Sequence, residues 1–527
     1  MKKNKRLVIV DVLKSNNRLI ENCDFIALNH GTVRHKNTIQ IDIKSYYKKF
    51  LISGKKKFHE TLKKYLTKKK IHSINPVELD ISNCRNEKYD YIHKIINIII
   101  LKEVIKDYQN IEVICDDPLY YNSYKSLSNK IEVNFDIKKK NFSYILHFFV
   151  NRFTFFIRAL LFISYIKFFT VKKGQSLCNE VNLTFYPLFH KDDQDYLYRN
   201  KQKHLNFLIT DETHLHSNLS ELYKNFLKIK DNEKVIIVEK YIQIKDIILN
   251  LFFTFKLVRN LRFNNSFRIN NIMFDDIILK YFYKSLLNRS KLSIYKEALT
   301  KIAKAYEIKK INYILFEYGF GYFLKNSLPE KIFFTGYQHG YYSDNIMWLD
   351  QACSYRNKNK FLPDHIICKN KGSFNSYKKK IYSKMIKIDK ENLAINSFFN
   401  EVKNSLKNSD KNKNKKEKLL IICGAYDFNE IISSVKAISL KPIFKNTLFY
   451  LKIHPKMVQN IDLDGFINIR IIKKLGNNKF KKTIITSAST MTTEAENYLN
   501  NYSIIGLPFK HNLVPSNFPL KKIYNLY

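Results

Sequence analysis

Glycine and proline are scarce in this chain of 527 residues, at 12 and 10. Their scarcity argues against a disordered or loop-dominated chain. Acidic residues are also few, 47 against 91 lysines and arginines, leaving a formal net charge of +44. The seven cysteines (Cys23, Cys84, Cys115, Cys178, Cys353, Cys368, Cys423) never form Cys-x-x-Cys. That spacing speaks against a zinc site or redox pair and fits a reduced, cytosolic compartment. Lys2, Lys3, Lys5 and Arg6 precede an apolar stretch, Leu7–Val12, that is too short for a secretory signal. No internal repeat of solenoid period is present.

What the chain does have is apolar mass. Hydrophobic residues make up 45% and aromatics 14%, enough for large cores. The length calls for two or three domains. Part of the lysine excess reads as codon bias of an AT-rich genome, since Asn and Ile are abundant too. The positive charge still favours anionic partners: nucleic acid, acidic lipid or phosphorylated substrates.

Leu7–Val12 and Ile111–Cys115 read as buried strands, with helical, Lys-rich stretches at Tyr46–Lys70 and Tyr91–Tyr108. Strand and helix in alternation predict a parallel sheet. Further strands are expected at Val181–Tyr186, Lys234–Val238, Asn312–Phe316 and Lys331–Phe334, and helices at Tyr241–Leu261 and Ile277–Leu287. Leu362–Cys368 reads as a crossing into a new domain. After a solvated Lys/Asn run at 411–416, strands are expected at Leu419–Cys423, Leu448–Ile453, Ile467–Ile472, Thr483–Thr486 and Tyr502–Ile505. The expected division is 1–360 and 361–527.

Residues 142–171 are crowded with aromatics and aliphatics but broken by His147, Arg152, Arg158 and Lys167. A spanning helix wants about 20 largely uncharged apolar residues. A basic, aromatic helix lying in a membrane interface fits better, and a core helix of a large domain is the alternative.

Three polar clusters stand at predicted strand ends. His454-Pro455 closes the strand containing Lys452; proline stops the strand, so the imidazole can meet a phosphate oxygen at the sheet edge. Ser487, Ser489 and Thr490 precede a predicted helix, Met491–Asn500. Hydroxyls and free N–H groups there form an anion site, although plain N-capping uses the same residues. Glu494 is placed to bind a ribose hydroxyl. Gln338-His339-Gly340 follows another strand, flanked by Gly336. His339, with Asp344 near, is a candidate general base, and Glu317, after the preceding strand, is its rival. In a parallel sheet ligands bind at carboxyl ends of strands, so His454 and the hydroxyl cluster face one ligand. That pairing points to a nucleotide-activated donor. No Asp-x-Asp motif stands at a strand end; Asp192-Asp193 and Asp275-Asp276 read as solvent-facing pairs. The chemistry is expected to need neither metal nor other cofactor.

Gly336-Tyr337-Gln338-His339-Gly340, then Lys452-Ile453-His454-Pro455, then a Ser/Thr-rich helix start with Glu resembles bacterial surface-carbohydrate glycosyltransferases of the GT-B type. Capsule and O-antigen biosynthesis proteins are the nearest in pattern. More distantly the chain is similar to teichoic-acid glycerophosphotransferases and bacterial sialyltransferases. The resemblance covers roughly residues 310–510. It implies an α/β fold of two Rossmann-like, doubly wound domains facing a cleft, with the acceptor on the N-terminal side. It implies that His454, Ser487, Ser489 and Thr490 hold the phosphate of a cytidine-type donor, and that His339 is the base. The acidic pair of the sialyltransferases is reduced here to Glu317 before Tyr318-Gly319.

The function expected on these grounds is sugar transfer from a nucleotide donor, CMP-linked, to a glycan or lipid-linked glycan acceptor. The expected location is cytoplasmic, at the inner face of the cytoplasmic membrane. A CDP-polyol phosphotransferase of the same fold is the first alternative. A basic nucleic-acid-binding protein is the second, against which stands the lack of any P-loop, zinc-finger or RNA-recognition signature.

Overall fold

The computed structural model describes residues 6–12, 19–28, 34–41, 43–68, 86–115, 117–135, 144–169, 179–185, 206–210, 219–231, 235–260, 267–314, 316–338, 353, 360–368, 371–381, 386–390, 401–402, 404–406, 417–423, 432, 435–436, 438–453, 463, 465–481, 483–486, 503–506 and 522–523.

Near-continuous runs of β-branched and aliphatic residues, such as Leu7-Val8-Ile9-Val10, are all buried. Such runs belong to parallel sheets covered on both faces. Three large parallel sheets result, beside a two-stranded parallel pair (Leu19–Glu21 with Arg34–Lys36) and an antiparallel pair (Arg268–Ile269 with Ile272–Met273). The first joins β1 (Arg6–Asp11), β2 (Asp24–Ala27), β3 (Ile39–Gln40), β4 (Asn110–Cys115) and β5 (Ile131–Phe135) in the order β3-β2-β1-β4-β5. The second joins β6 (Glu180–Phe185), β7 (Asn206–Thr210), β8 (Val235–Ile237), β9 (Lys310–Ile314), β10 (Phe333–Tyr337), β11 (His365–Cys368) and β12 (Lys387–Lys390) in the order β8-β7-β6-β9-β10-β11-β12. The third joins β13 (Glu417–Ile422), β14 (Thr447–Lys452), β15 (Ile469–Ile472), β16 (Thr483–Thr486), β17 (Ser503–Gly506) and β18 (Lys522–Ile523) in the order β15-β14-β13-β16-β17-β18. In each sheet the chain winds outward to the third strand, then returns to the other side of the first. This is the Rossmann strand order, with its switch point between β1 and β4, β6 and β9, and β13 and β16.

The α/β class and the parallel sheets are as expected, but the large sheets number three, and residues 1–360 hold the first and five strands of the second. The expected boundary at 360/361 falls inside the second sheet. Thr335 pairs with His365 across it, and Ile367 with Asp389 beyond it. Asp364, read from sequence as part of a linker, anchors this segment. Its carboxylate accepts both Lys325 Nζ, at 2.7 and 2.8 Å, and the Phe334 N–H. Phe361 and Leu362 are buried in the same core.

The described helices are α1 (Lys44–Lys68), α2 (Asn86–Val104), α3 (Tyr144–Phe169), α4 (Leu219–Ile229), α5 (Ile244–Asn260), α6 (Asp275–Ala305), α7 (Gly319–Ser327) and α8 (Lys371–Lys380), beside shorter turns. Helix α2 is buried all round from Tyr91 to Leu101, as a helix through a core must be. Gly54 of α1 allows close approach, since a Cβ there would lie 3.0 Å from Ile96. Helix α6 is about 46 Å long at 1.5 Å per residue. Its first half, with Ile277, Tyr281 and Leu286, packs in the first core, and its second half, with Tyr295, Leu299 and Ile302, in the second. Helix α3 does the same, with Phe148 in one core and Phe155, Phe162 and Ile166 in the other. The pair Asp275-Asp276 starts α6 and is bonded there: Asp275 accepts the Phe267 N–H at 2.7 Å and Asp276 accepts Asn122 Nδ2 at 2.7 Å.

Two buried cations contrast. Lys94 of α2 pairs with Asp11 at the end of β1, which also accepts Tyr124 OH. Arg152 of α3 is fully buried and bonds only Asn250, with its guanidinium 5.2 Å from the Phe155 ring. No carboxylate offsets it among the described residues, and burial pulls its pKa down to about 10. Breaking a buried pair strands a charge, whereas removing an uncompensated one does not. Lys94→Met is therefore expected to cost about 3–5 kcal/mol. Arg152→Met should cost at most about 1 kcal/mol, because the loss of its bond to Asn250 is offset by relief of desolvation. Urea unfolding of both variants checks the contrast, and equal losses would overturn it.

Candidate functional site

The carboxyl edge of the third sheet is the first place to look. Ile422, at the end of β13, pairs with Lys452 on one side and Thr486 on the other. Thr486 pairs in turn with Gly506. The ends of β14 and β16 thus flank β13 at the switch point, two strand spacings or about 10 Å apart. His454 is two residues beyond Lys452, and Ser487 directly follows Thr486. His454, Ser487, Ser489, Thr490 and Glu494 themselves lie outside the described residues.

Lys452 is half-buried, on the sheet face opposite Phe449, Leu451 and Ile453, which build the core of this unit. Its Nζ lies 3.3 Å from the Ile453 carbonyl. Burial lowers its pKa, against the opposing pull of Glu401 and Cys423. The Cys423 N–H donates to the Lys452 carbonyl at 3.1 Å, which holds the two strand ends in register. Burial pushes the Cys423 thiol up to about 12, so it stays protonated at neutral pH. Glu401, not singled out from sequence, is the acid nearest Lys452 in effect; it also accepts the Leu475 N–H at 3.2 Å.

The second sheet builds a different edge. Glu317 follows β9 and Gln338 follows β10, on adjacent strands whose last residues, Ile314 and Tyr337, pair. Both side chains are fully buried. Tyr377 OH of α8 donates to Glu317 Oε1 at 3.3 Å. Gln338 Nε2 donates to Ser373 Oγ of the same helix at 2.9 Å, and its N–H to the Ile367 carbonyl at 3.0 Å. Burial, then the charges of Glu317 and Asp389, push the Cys368 thiol well above its usual range. Tyr313 is raised likewise, by burial and then by Asp364 and Glu317.

Glu317 is thus placed inside the protein, not at its surface. Its Oε1 accepts from Tyr377, which ties α8 to the sheet edge. His339 and Asp344, its companions in the expected catalytic group, lie outside the described residues. Ser373 and Tyr377 were not legible as partners, because a Ser-x-x-x-Tyr helix face is too common to signal anything alone. Gly336 is not a loop residue. It lies within β10, where a Cβ would come within 2.5 Å of Pro363 Cγ and 2.7 Å of the Phe316 ring.

No protein-family model and no curated protein matches this chain. Among solved structures the chain is similar to a crystal structure of CalG4, the calicheamicin glycosyltransferase. The identity is 10%, the match covers 64% of this chain and 80% of that one, and the TM-score is 0.31. At that score the fold rests on the strand order described above.

Two substitutions test the second edge. Gly336→Ala should cost about 1–3 kcal/mol from overpacking, because the neighbouring atoms are a proline ring and an aromatic ring with little room to yield. Tyr377→Phe should cost about 0.5–1.5 kcal/mol, the net worth of one buried hydrogen bond. Thermal unfolding of each variant decides, and wild-type midpoints would show that the edge is more open than described.

Proposed function

We propose that this protein is a glycosyltransferase that moves a sugar from a nucleotide-activated donor, CMP-linked, to a glycan or lipid-linked glycan acceptor of a bacterial surface polysaccharide. The observation that carries the reading is the pairing of Lys452 and Thr486 on either side of Ile422. It brings the strand ends that precede the two phosphate-suited motifs to the switch point of one parallel sheet, where such sheets bind nucleotides. The resemblance of the His-Pro and Ser/Thr motifs to capsule and O-antigen enzymes supports the cytidine assignment.

In this reading an acceptor hydroxyl attacks the anomeric carbon. The bond from that carbon to the phosphate oxygen breaks, and the nucleotide leaves with the bonding electrons. His339 takes the hydroxyl proton. His454 and the hydroxyls of Ser487, Ser489 and Thr490 stabilise the charge gathering on the departing phosphate, which is where preorganised donors count most. Lys452 adds a positive field behind them, and Glu494 holds the ribose. Glu317 fixes the floor beneath the base by its bond with Tyr377. Asp344 orients His339.

Calorimetric titration with CMP, CDP, UDP and GDP tests this. Cytidine nucleotides should bind selectively, and His454→Ala and Ser487→Ala should each weaken binding at least about tenfold, the worth of one charge-assisted hydrogen bond. His339→Ala should keep nucleotide binding and lose transfer. Folded protein that binds none of the four nucleotides would overturn the assignment.

A further inference from the structure

Helix α3 has one face that the two cores account for and one that they do not. The second carries Leu146, Val150, Phe153, Ile157, Leu161 and Phe168. Their spacings of three, four and seven residues put them on one side of the helix. Their exposure runs from 41% at Ile157 to 83% at Phe168. A helix packed on a core normally turns polar residues outward. This one turns outward an apolar stripe broken only by Thr154, Ser164 and Lys167.

The stripe does not end with α3. Helix α5 packs beside it: Phe149 stacks on Phe255 with ring centroids 5.2 Å apart, and Arg152 bonds Asn250. The sequence rises in one helix as it falls in the other, so the two run antiparallel. Beside Asn250, Leu249 is 64% exposed and Phe252 66% exposed. Apolar patches of this extent on a monomer mark an interaction surface.

Charge indicates the partner. Besides the buried Arg152, helix α3 contains Arg158 and Lys167 and no acidic residue; α5 contains Lys245, Lys256 and Arg259 against the single acid Asp246. Lys167 and Lys245 are exposed. The buried face of α3 is seated in two cores, so the helix cannot leave them to cross a bilayer, although residues Phe148–Phe169 are long and apolar enough for that. An exposed apolar stripe with cations along its margin, on a helix otherwise held in the fold, is the make-up of an interfacial element.

We propose that the exposed face of α3 and α5 docks the protein on a bilayer surface containing anionic lipid. The aromatic and aliphatic side chains enter the boundary between headgroups and acyl chains, and the flanking cations meet lipid phosphates. This does not depend on which donor or acceptor the enzyme uses.

Sedimentation of the full chain with vesicles tests it. Vesicles of phosphatidylglycerol and phosphatidylethanolamine should bind at least about tenfold more tightly than phosphatidylcholine vesicles, with binding that weakens as salt rises. The triple variant Phe153→Glu, Leu161→Glu, Phe252→Glu should lose at least about tenfold in vesicle affinity and keep the wild-type unfolding midpoint and nucleotide binding. Phe168→Glu alone, at the most exposed position, should lose about threefold or more and serves if the triple variant folds poorly. Three results would overturn the proposal. The wild type stays in the supernatant with every vesicle, the variants bind as the wild type does, or light scattering shows a dimer that the triple variant dissolves while vesicles never bind.

Discussion

A parallel sheet covered on both faces has almost nowhere to hold a polar group except at its strand ends. Three such sheets make up the described fold, and in each the polar chemistry is gathered at the carboxyl edge. Asp11 and Cys115 end β1 and β4; Glu317 and Gln338 follow β9 and β10; Lys452 and Thr486 end β14 and β16. One of the exceptions inside a sheet shows the rule. Asn312, in mid-β9, is buried, and its Nδ2 donates to Asn182 at 3.1 Å and Glu180 at 2.6 Å on the next strand. A polar side chain survives there because its neighbours on β6 supply the acceptors.

The same constraint explains how the first two units are joined. Helix α3 connects the first sheet to the second and α6 lies in the crossover from β8 to β9, and both are long enough to serve both cores. Each helix buries one end in each core. The two cores therefore lose apolar contacts together when either helix is disturbed, and the units are expected to unfold as one. The third sheet has a core of its own, built from Leu419, Ile421, Phe449, Leu451 and Ile469.

The central strands were readable because burial on both faces makes a run such as Leu419–Ile422 apolar throughout. Thr483–Thr486 was placed to the residue, and most others within one to three positions. Some strands at or near the sheet edges escaped. Ile39–Gln40 is two exposed residues, and Lys387–Lys390 reads as polar. Their pairing comes from the neighbouring strand and not from their own composition. Leu362–Cys368 reads from sequence as a crossing into a new domain, yet His365–Cys368 is a strand of the second sheet. The carboxylate of Asp364 is instead consumed by Lys325 and a backbone N–H. At the candidate site, the motifs were legible as strand-end chemistry. The burial of Glu317 was not, since it depends on Tyr377, 60 residues away in sequence.

That burial bears on how the edge of the second sheet supports chemistry. A general base must be held still relative to its substrate, and loops achieve this only where their ends are fixed. Gly336 lets Pro363 and Phe316 close over β10. The Gln338 backbone is tied to β11, and its side chain to Ser373 on α8. Glu317 ties the same helix, through Tyr377, to the end of β9. The chain thus reaches residue 339 from a point fixed on three sides. At the third sheet the Cys423 N–H fixes Lys452 in the same way, two residues before His454. Both histidines follow strand ends held by a backbone bond to the next strand, Gln338 to Ile367 and Lys452 to Cys423. Positional accuracy there comes from the sheets, which leaves the loop residues free to be chosen for their chemistry.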